Sequence, residues 1–178
     1  MRDLTIPYTR LNGDAFWNSI AMQYIHPVGR YYHNMEHVVD LYKYAKELGI
    51  EYDINLDVAI LIHDVIYDGE KQAEIRSILH FINMVRNVLK QPNLTEIPEK
   101  VMMPFGVIEP NIISDLVITT IDHNPKKGGD NRLILLDLYS FTKGPTVCQE
   151  NYYALIDELG KLYPNTNKEE ILNNMGVS

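Results

Sequence analysis

Asn55-Leu56-Asp57-Val58-Ala59-Ile60-Leu61-Ile62-His63-Asp64-Val65-Ile66-Tyr67 is the stretch on which the fold turns. It is so uniformly apolar that periodicity alone fits either a buried helix or a buried strand. Its length and its Asn55-Leu56-Asp57 start favour a helix over 56–67, and apolar residues on every side place that helix at the centre of the protein. His63 and Asp64 stand side by side near its end. An imidazole and a carboxylate are costly to bury unless they pair or bind a metal, so the segment that sets the core also marks a candidate site.

Working outward, residues 35–48 carry Val38, Leu41, Tyr42, Ala45 and Leu48 at i, i+3, i+4 and i+7 spacing, and Gly49 supplies a stop. Before them, Asn12-Gly13-Asp14 reads as a turn and cap for a helix over 15–25, with Phe16, Ile20 and Tyr24 on one face. Pro27 and Gly29 make 26–30 a loop. Downstream, 73–89 is an amphipathic helix ended by Gln91-Pro92-Asn93. Four prolines, Pro92, Pro98, Pro104 and Pro110, predict irregular structure with one short helix at 99–103. Helices over 111–122, 132–142, 147–162 and 168–174 complete the inventory, with turns at 125–129 and at Lys143-Gly144-Pro145. With no repeat and no long strand, the expected class is all-α, a single-domain helical bundle over 1–178.

Composition bounds the function. A chain of 178 residues holds one good core, and 46% hydrophobic with 22% charged residues is the balance of a soluble globular protein. The net charge of −8 argues against a broad basic face for duplex nucleic acid. A small phosphorylated substrate stays compatible with that charge if a metal reverses the local potential. The single cysteine, Cys148, excludes an intrachain disulfide and fits a reducing compartment. Neither a signal-peptide core nor a run of the ~20 apolar residues of a membrane span is visible, so the expected location is the cytoplasm, with no membrane partner. A homo-oligomer is left open.

Three segments offer metal-binding side chains on faces expected to point inward. His33 and His37 lie at i, i+4; His63-Asp64 follows an apolar run; Asp137 interrupts Leu133-Ile134-Leu135-Leu136 and Leu138. Convergence on a metal is the economical reading. Mixed imidazole and carboxylate donors suit a divalent ion such as Mn, Fe, Co, Ni, Zn or Mg, as one ion or two.

His37, then His63-Asp64, then Asp137 resembles the H…HD…D signature of the HD superfamily of metal-dependent phosphohydrolases. A longer ordered set is similar to a predicted-phosphohydrolase branch of that superfamily: Trp17, Tyr24, Pro27, Arg30, Tyr32-His33-Asn34, His37, His63 to Asp68, Glu74, Arg76-Ser77, His123 and Asp137-Leu138. The resemblance covers about residues 17–140. It implies an HD-type helical bundle, metal ligation by His37, His63, Asp64 and Asp137, and hydrolysis of a phosphate ester in a nucleotide or other small phosphorylated metabolite. Tyr32-His33-Asn34-x-x-His37 is also similar to the opening metal motif of the cyclic-nucleotide phosphodiesterases in the same superfamily. That likeness implies that His33 protonates the leaving oxygen, a task suited to an imidazole.

Departures accompany the match. Where the phosphodiesterases carry a further histidine after their HD, this chain reads Val65-Ile66-Tyr67-Asp68, and Leu135 stands where the predicted branch often has an acid. Asp64 is expected to orient or deprotonate the attacking water while it ligates. Arg30, with one of Lys126, Lys127 or Lys143, is a candidate for phosphate oxygens. Asp68 and Glu74 read equally as site residues or as caps and first-turn charges, and His123 as a phosphate or second-metal ligand or a helix-terminal histidine. The alternatives to a metabolite phosphohydrolase are a cyclic-nucleotide-type phosphodiesterase and a metal- or nucleotide-binding sensor without turnover.

Overall fold

The computed structural model describes Ile20 and residues 35–50, 53–66, 72–121 and 124–147. Within these, the chain runs through α1 (Met35–Glu47), α2 (Ile54–Ile62), α3 (Ala73–Val88), β1 (Val101–Met103), β2 (Gly106–Ile108), α4 (Pro110–Ile118) and α5 (Arg132–Val147). Every residue of α2 is buried, and α1, α3, α4, α5 and β2 all pack against it. This is why the segment shows no amphipathic period: each of its faces meets a neighbour. Among the described residues the structure is mostly helical, and no helix there is long and apolar enough to cross a membrane. The helices expected over 15–25, 147–162 and 168–174, and the loop at 26–30, fall outside the described residues, except that Ile20 is helical and buried.

Asp53 caps α2, accepting from the Leu56 amide at 2.8 Å, and its second oxygen accepts from Arg132 at 2.8 Å. Arg132 also clamps Asp130 and holds that carboxyl below the usual range. The starts of α2 and α5 are therefore tied together. Asn55, the second residue of the helix, exchanges two hydrogen bonds with Glu109, donating to its side chain at 3.2 Å and accepting from its amide at 2.8 Å. That exchange fixes the start of α4 beside α2.

Helix ends explain two of the boundaries. After α1 the Gly49 amide bonds to the Lys46 carbonyl and the Ile50 amide to the Ala45 carbonyl, the paired bonds of a Schellman cap with glycine in the left-handed region (φ 65). The same pattern closes α3, with Lys90 to Asn87 and Gln91 to Arg86, but here the left-handed residue is Lys90 (φ 58). A side chain at that φ costs ~1 kcal/mol that glycine avoids. Lys90→Gly is therefore expected to raise stability by about 0.5–1 kcal/mol, a gain of a few degrees in melting temperature measured by circular dichroism. An unchanged or lower melting temperature would show that this cap is not formed.

Four expectations are corrected. Residues 99–103 do not form a short helix; Val101–Met103 pairs antiparallel with Gly106–Ile108 in a two-stranded hairpin. A helical turn there would have to nucleate against Pro104, whereas Val101 and Met103 bury alternate side chains with Met102 outside, the period of a strand. Gly106 is required in this hairpin, because its φ is 141 and an added Cβ would meet Ile54 Cδ1 at 2.8 Å. The central helix stops at Ile62 instead of Tyr67, and α4 at Ile118 instead of residue 122. Finally, α5 continues to Val147 through the expected turn at Lys143-Gly144-Pro145. Pro145 removes one ladder bond there without ending the helix.

Candidate metal centre

His63 is the C-cap of α2: its backbone is still helical and its amide reaches the Ala59 carbonyl at 3.0 Å, after which Val65 bonds back to Ile62 in a tight turn. The expected helix end thus becomes a corner, and the corner exposes consecutive side chains to the same space. His63 Nδ1 lies 2.7 Å from the Ile60 carbonyl. A carbonyl only accepts, so Nδ1 carries a proton and Nε2 is the atom that faces Asp64.

His37 joins from the first turn of α1. It lies one turn before Leu41 on the buried stripe, which is why this imidazole is only 4% exposed. Asp137 comes from α5, where Leu133, Ile134, Leu136, Asp137 and Ser140 are buried. Leu135, on the outer face, is 49% exposed, so the position that is often acidic in the resembled branch points away from the core. Ser140, one turn after Asp137, places its hydroxyl 3.4 Å from His37 Nδ1.

The donor atoms converge. Asp64 Oδ2 is 2.9 Å from His63 Nε2 and 4.0 Å from His37 Nε2, while Asp137 Oδ1 is 3.3 Å from His37 Nε2. Donors held ~2.1 Å from one ion stand ~3.0 Å apart when adjacent in an octahedron and ~4.2 Å when opposite, so these separations suit a shared divalent ion. His37, His63 and Asp64 can offer atoms that all lie within 4.8 Å of one another, and this group could hold a metal. Asp137 adjoins that trio, with its Oδ1 3.3 Å from His37 Nε2 and its charge acting on His63.

Orientation supports the same reading. His63 Nε2 and Asp137 Oδ1 are buried without a hydrogen-bond partner among the described residues, although Asp64 Oδ2 lies 2.9 Å from the first and His37 Nε2 3.3 Å from the second. Buried polar atoms brought together without hydrogen-bond alignment are costly, and a cation between them removes that cost. Burial favours neutral His63, but the charge and proximity of Asp64, then Asp137 and the Ile60 carbonyl, outweigh it and raise its pKa to about 9. For Asp137, burial pushes the pKa up, yet His37 alongside and the charge on His63 hold it below the usual carboxylate range. Surroundings that keep a proton on buried His63 are also surroundings that attract a metal cation.

Other expected site residues sort differently. Glu74 lies in the first turn of α3, half-buried, and is not among the clustered donors. Arg30, His33, Asp68 and His123 lie outside the described residues. Lys126 lines a cavity of about 460 Å³ with Asp53, Glu109, Asp115 and Arg132, at the opposite end of α2 from His63. Lys127 is exposed, and the Lys143 side chain is outside the described set. Sequence reasoning missed Ser140; its signal is the Asp137-x-x-Ser140 spacing on one buried helix face. No family model, curated protein or solved structure matches this chain.

Proposed function

We propose that the chain is a metal-dependent phosphohydrolase of the HD superfamily, cleaving a phosphate ester of a nucleotide or other small phosphorylated metabolite. One observation carries the reading: His37, on a separate helix, and the adjacent pair His63-Asp64 bring their donor atoms within 4.8 Å of one another. That is the order and residue type of the motif to which the sequence has its likeness. A divalent ion held there supplies Lewis acidity, acidifying water and drawing charge from a phosphoryl oxygen.

The protein's own groups do the rest. His63, its Nδ1 fixed on the Ile60 carbonyl, presents Nε2 as a donor, and His37 is steadied by Ser140 and Asp137. Asp64 is the most accessible of the group, with 15% of its side chain exposed, which suits a carboxylate that both holds the ion and orients the attacking water. His33, by its likeness to the phosphodiesterase motif, delivers a proton to the leaving oxygen, and Arg30 neutralises phosphate charge.

The test is a screen with Mn²⁺, Co²⁺, Ni²⁺ and Mg²⁺ over nucleoside mono-, di- and triphosphates and cyclic nucleotides, following products by chromatography. Turnover that appears with metal and disappears with chelator is expected. Turnover confined to cyclic substrates would select the phosphodiesterase reading. Bound metal with no turnover on any substrate would contradict hydrolysis and favour a sensor.

A further inference from the structure

The His63-Asp64 corner is held from outside by a residue that no ligand assignment includes. Ser77, in the second turn of α3, is fully buried. Its hydroxyl accepts from the Ile66 amide at 3.0 Å and lies 3.4 Å from the Ile66 carbonyl, to which it donates. Ile66 is two residues beyond Asp64, where the chain has left α2 and can no longer rely on the helical ladder. A single hydroxyl, accepting from the N–H and donating to the C=O of one residue, thus ties the exit of the corner to α3.

We propose that Ser77 is a positioning residue for the metal centre: by fixing the Ile66 peptide it sets the direction in which Asp64 and His63 present their donor atoms. The proposal rests on the reading of His37, His63 and Asp64 as metal ligands. Its physical basis is that ligand atoms must be held to within a few tenths of an ångström, and that groups orienting ligands tune affinity as strongly as their own geometry is fixed. The ladder bond from His63 to Ala59 fixes the backbone before the corner, and the Ser77 bonds fix it after. Asp64, between them, has its backbone defined from both sides.

Ser77→Ala removes one oxygen and substitutes a better helix former, so α3 persists and only the tie is lost. A control, Val85→Ala, removes buried apolar volume two to three turns further along α3, away from the corner. Co²⁺ affinity by competition with a chromophoric chelator, the visible Co²⁺ absorption spectrum and the melting temperature are measured for the wild type and both variants. The expected result is a ~10–100-fold weaker Co²⁺ affinity and an altered spectrum in Ser77→Ala alone, with Val85→Ala binding like the wild type at a lowered melting temperature. Wild-type affinity and spectrum in Ser77→Ala would overturn the positioning role while leaving the metal site intact. Equal loss of affinity in both variants would overturn it too, since the effect would then follow stability. A wild type that binds no Co²⁺ would remove the metal centre itself, and the inference with it.

Discussion

Replacing Asp64 with alanine is expected to lower divalent-metal affinity by at least ~100-fold, beyond the ~10–100-fold typical of residues that only orient a ligand, and to abolish metal-dependent turnover. Asp64 Oδ2 lies 2.9 Å from His63 Nε2 and 4.0 Å from His37 Nε2, so deleting it removes both a ligand atom and the negative charge of the trio. The fold should survive, because the side chain is 15% exposed at a corner and its removal relieves like-charge repulsion with Asp137. Titration calorimetry with Mn²⁺ and the phosphate-ester screen, run on a variant whose circular dichroism matches the wild type, check the two halves. Retained turnover at wild-type metal affinity would remove Asp64 from the site.

The largest loss of stability is expected from Phe81→Ala. Phe81 is fully buried in α3 and, with Tyr42, is one of the two largest fully buried side chains among the described residues. Truncating a buried phenylalanine costs ~3–5 kcal/mol through lost transfer energy and the cavity left behind. For a chain of 178 residues this lowers the melting temperature on the order of 10 °C. Denaturant unfolding with a fitted midpoint measures it. A cost under ~1 kcal/mol, as for a surface substitution, would contradict the placement of α3 against the core.

What could be read from the sequence follows what each signal physically encodes. The α1 and α3 segments declared themselves because each has one wet face and one dry face, so side-chain spacing reports the helical period directly. The α2 segment has no wet face, and its helix was inferred from length; its cap, Asp53, was missed because Asn55 and Asp57 are also capping residue types. Asn55 instead serves Glu109, a partner 54 residues away that no local pattern could reveal. The 101–108 hairpin was hidden for a related reason: strands of three residues are too short to show alternation until their partner is known.

The site was legible in its residue types and not in its arrangement. A histidine and aspartates in apolar runs are expensive enough to mark themselves, so His63, Asp64 and Asp137 stand out without any structure. That His37, His63 and Asp64 form a tight group with Asp137 alongside depends on how α1 and α5 pack, which spacing does not encode. Ser77 belongs to the resembling set but carried no assigned role, and Ser140 was missed, because a serine on a buried helix face reads as any small residue. Only the tertiary contacts to Ile66 and His37 give them a role.

The most direct measurement is metal stoichiometry: equilibrium dialysis of the full chain against Mn²⁺ or Co²⁺, with elemental analysis of the protein, for the wild type and His63→Ala. At least one ion per wild-type chain, and loss of that ion in the variant at the same free metal concentration, is the predicted result. No bound ion in the wild type, or equal binding by both proteins, would contradict a metal centre built from His37, His63 and Asp64.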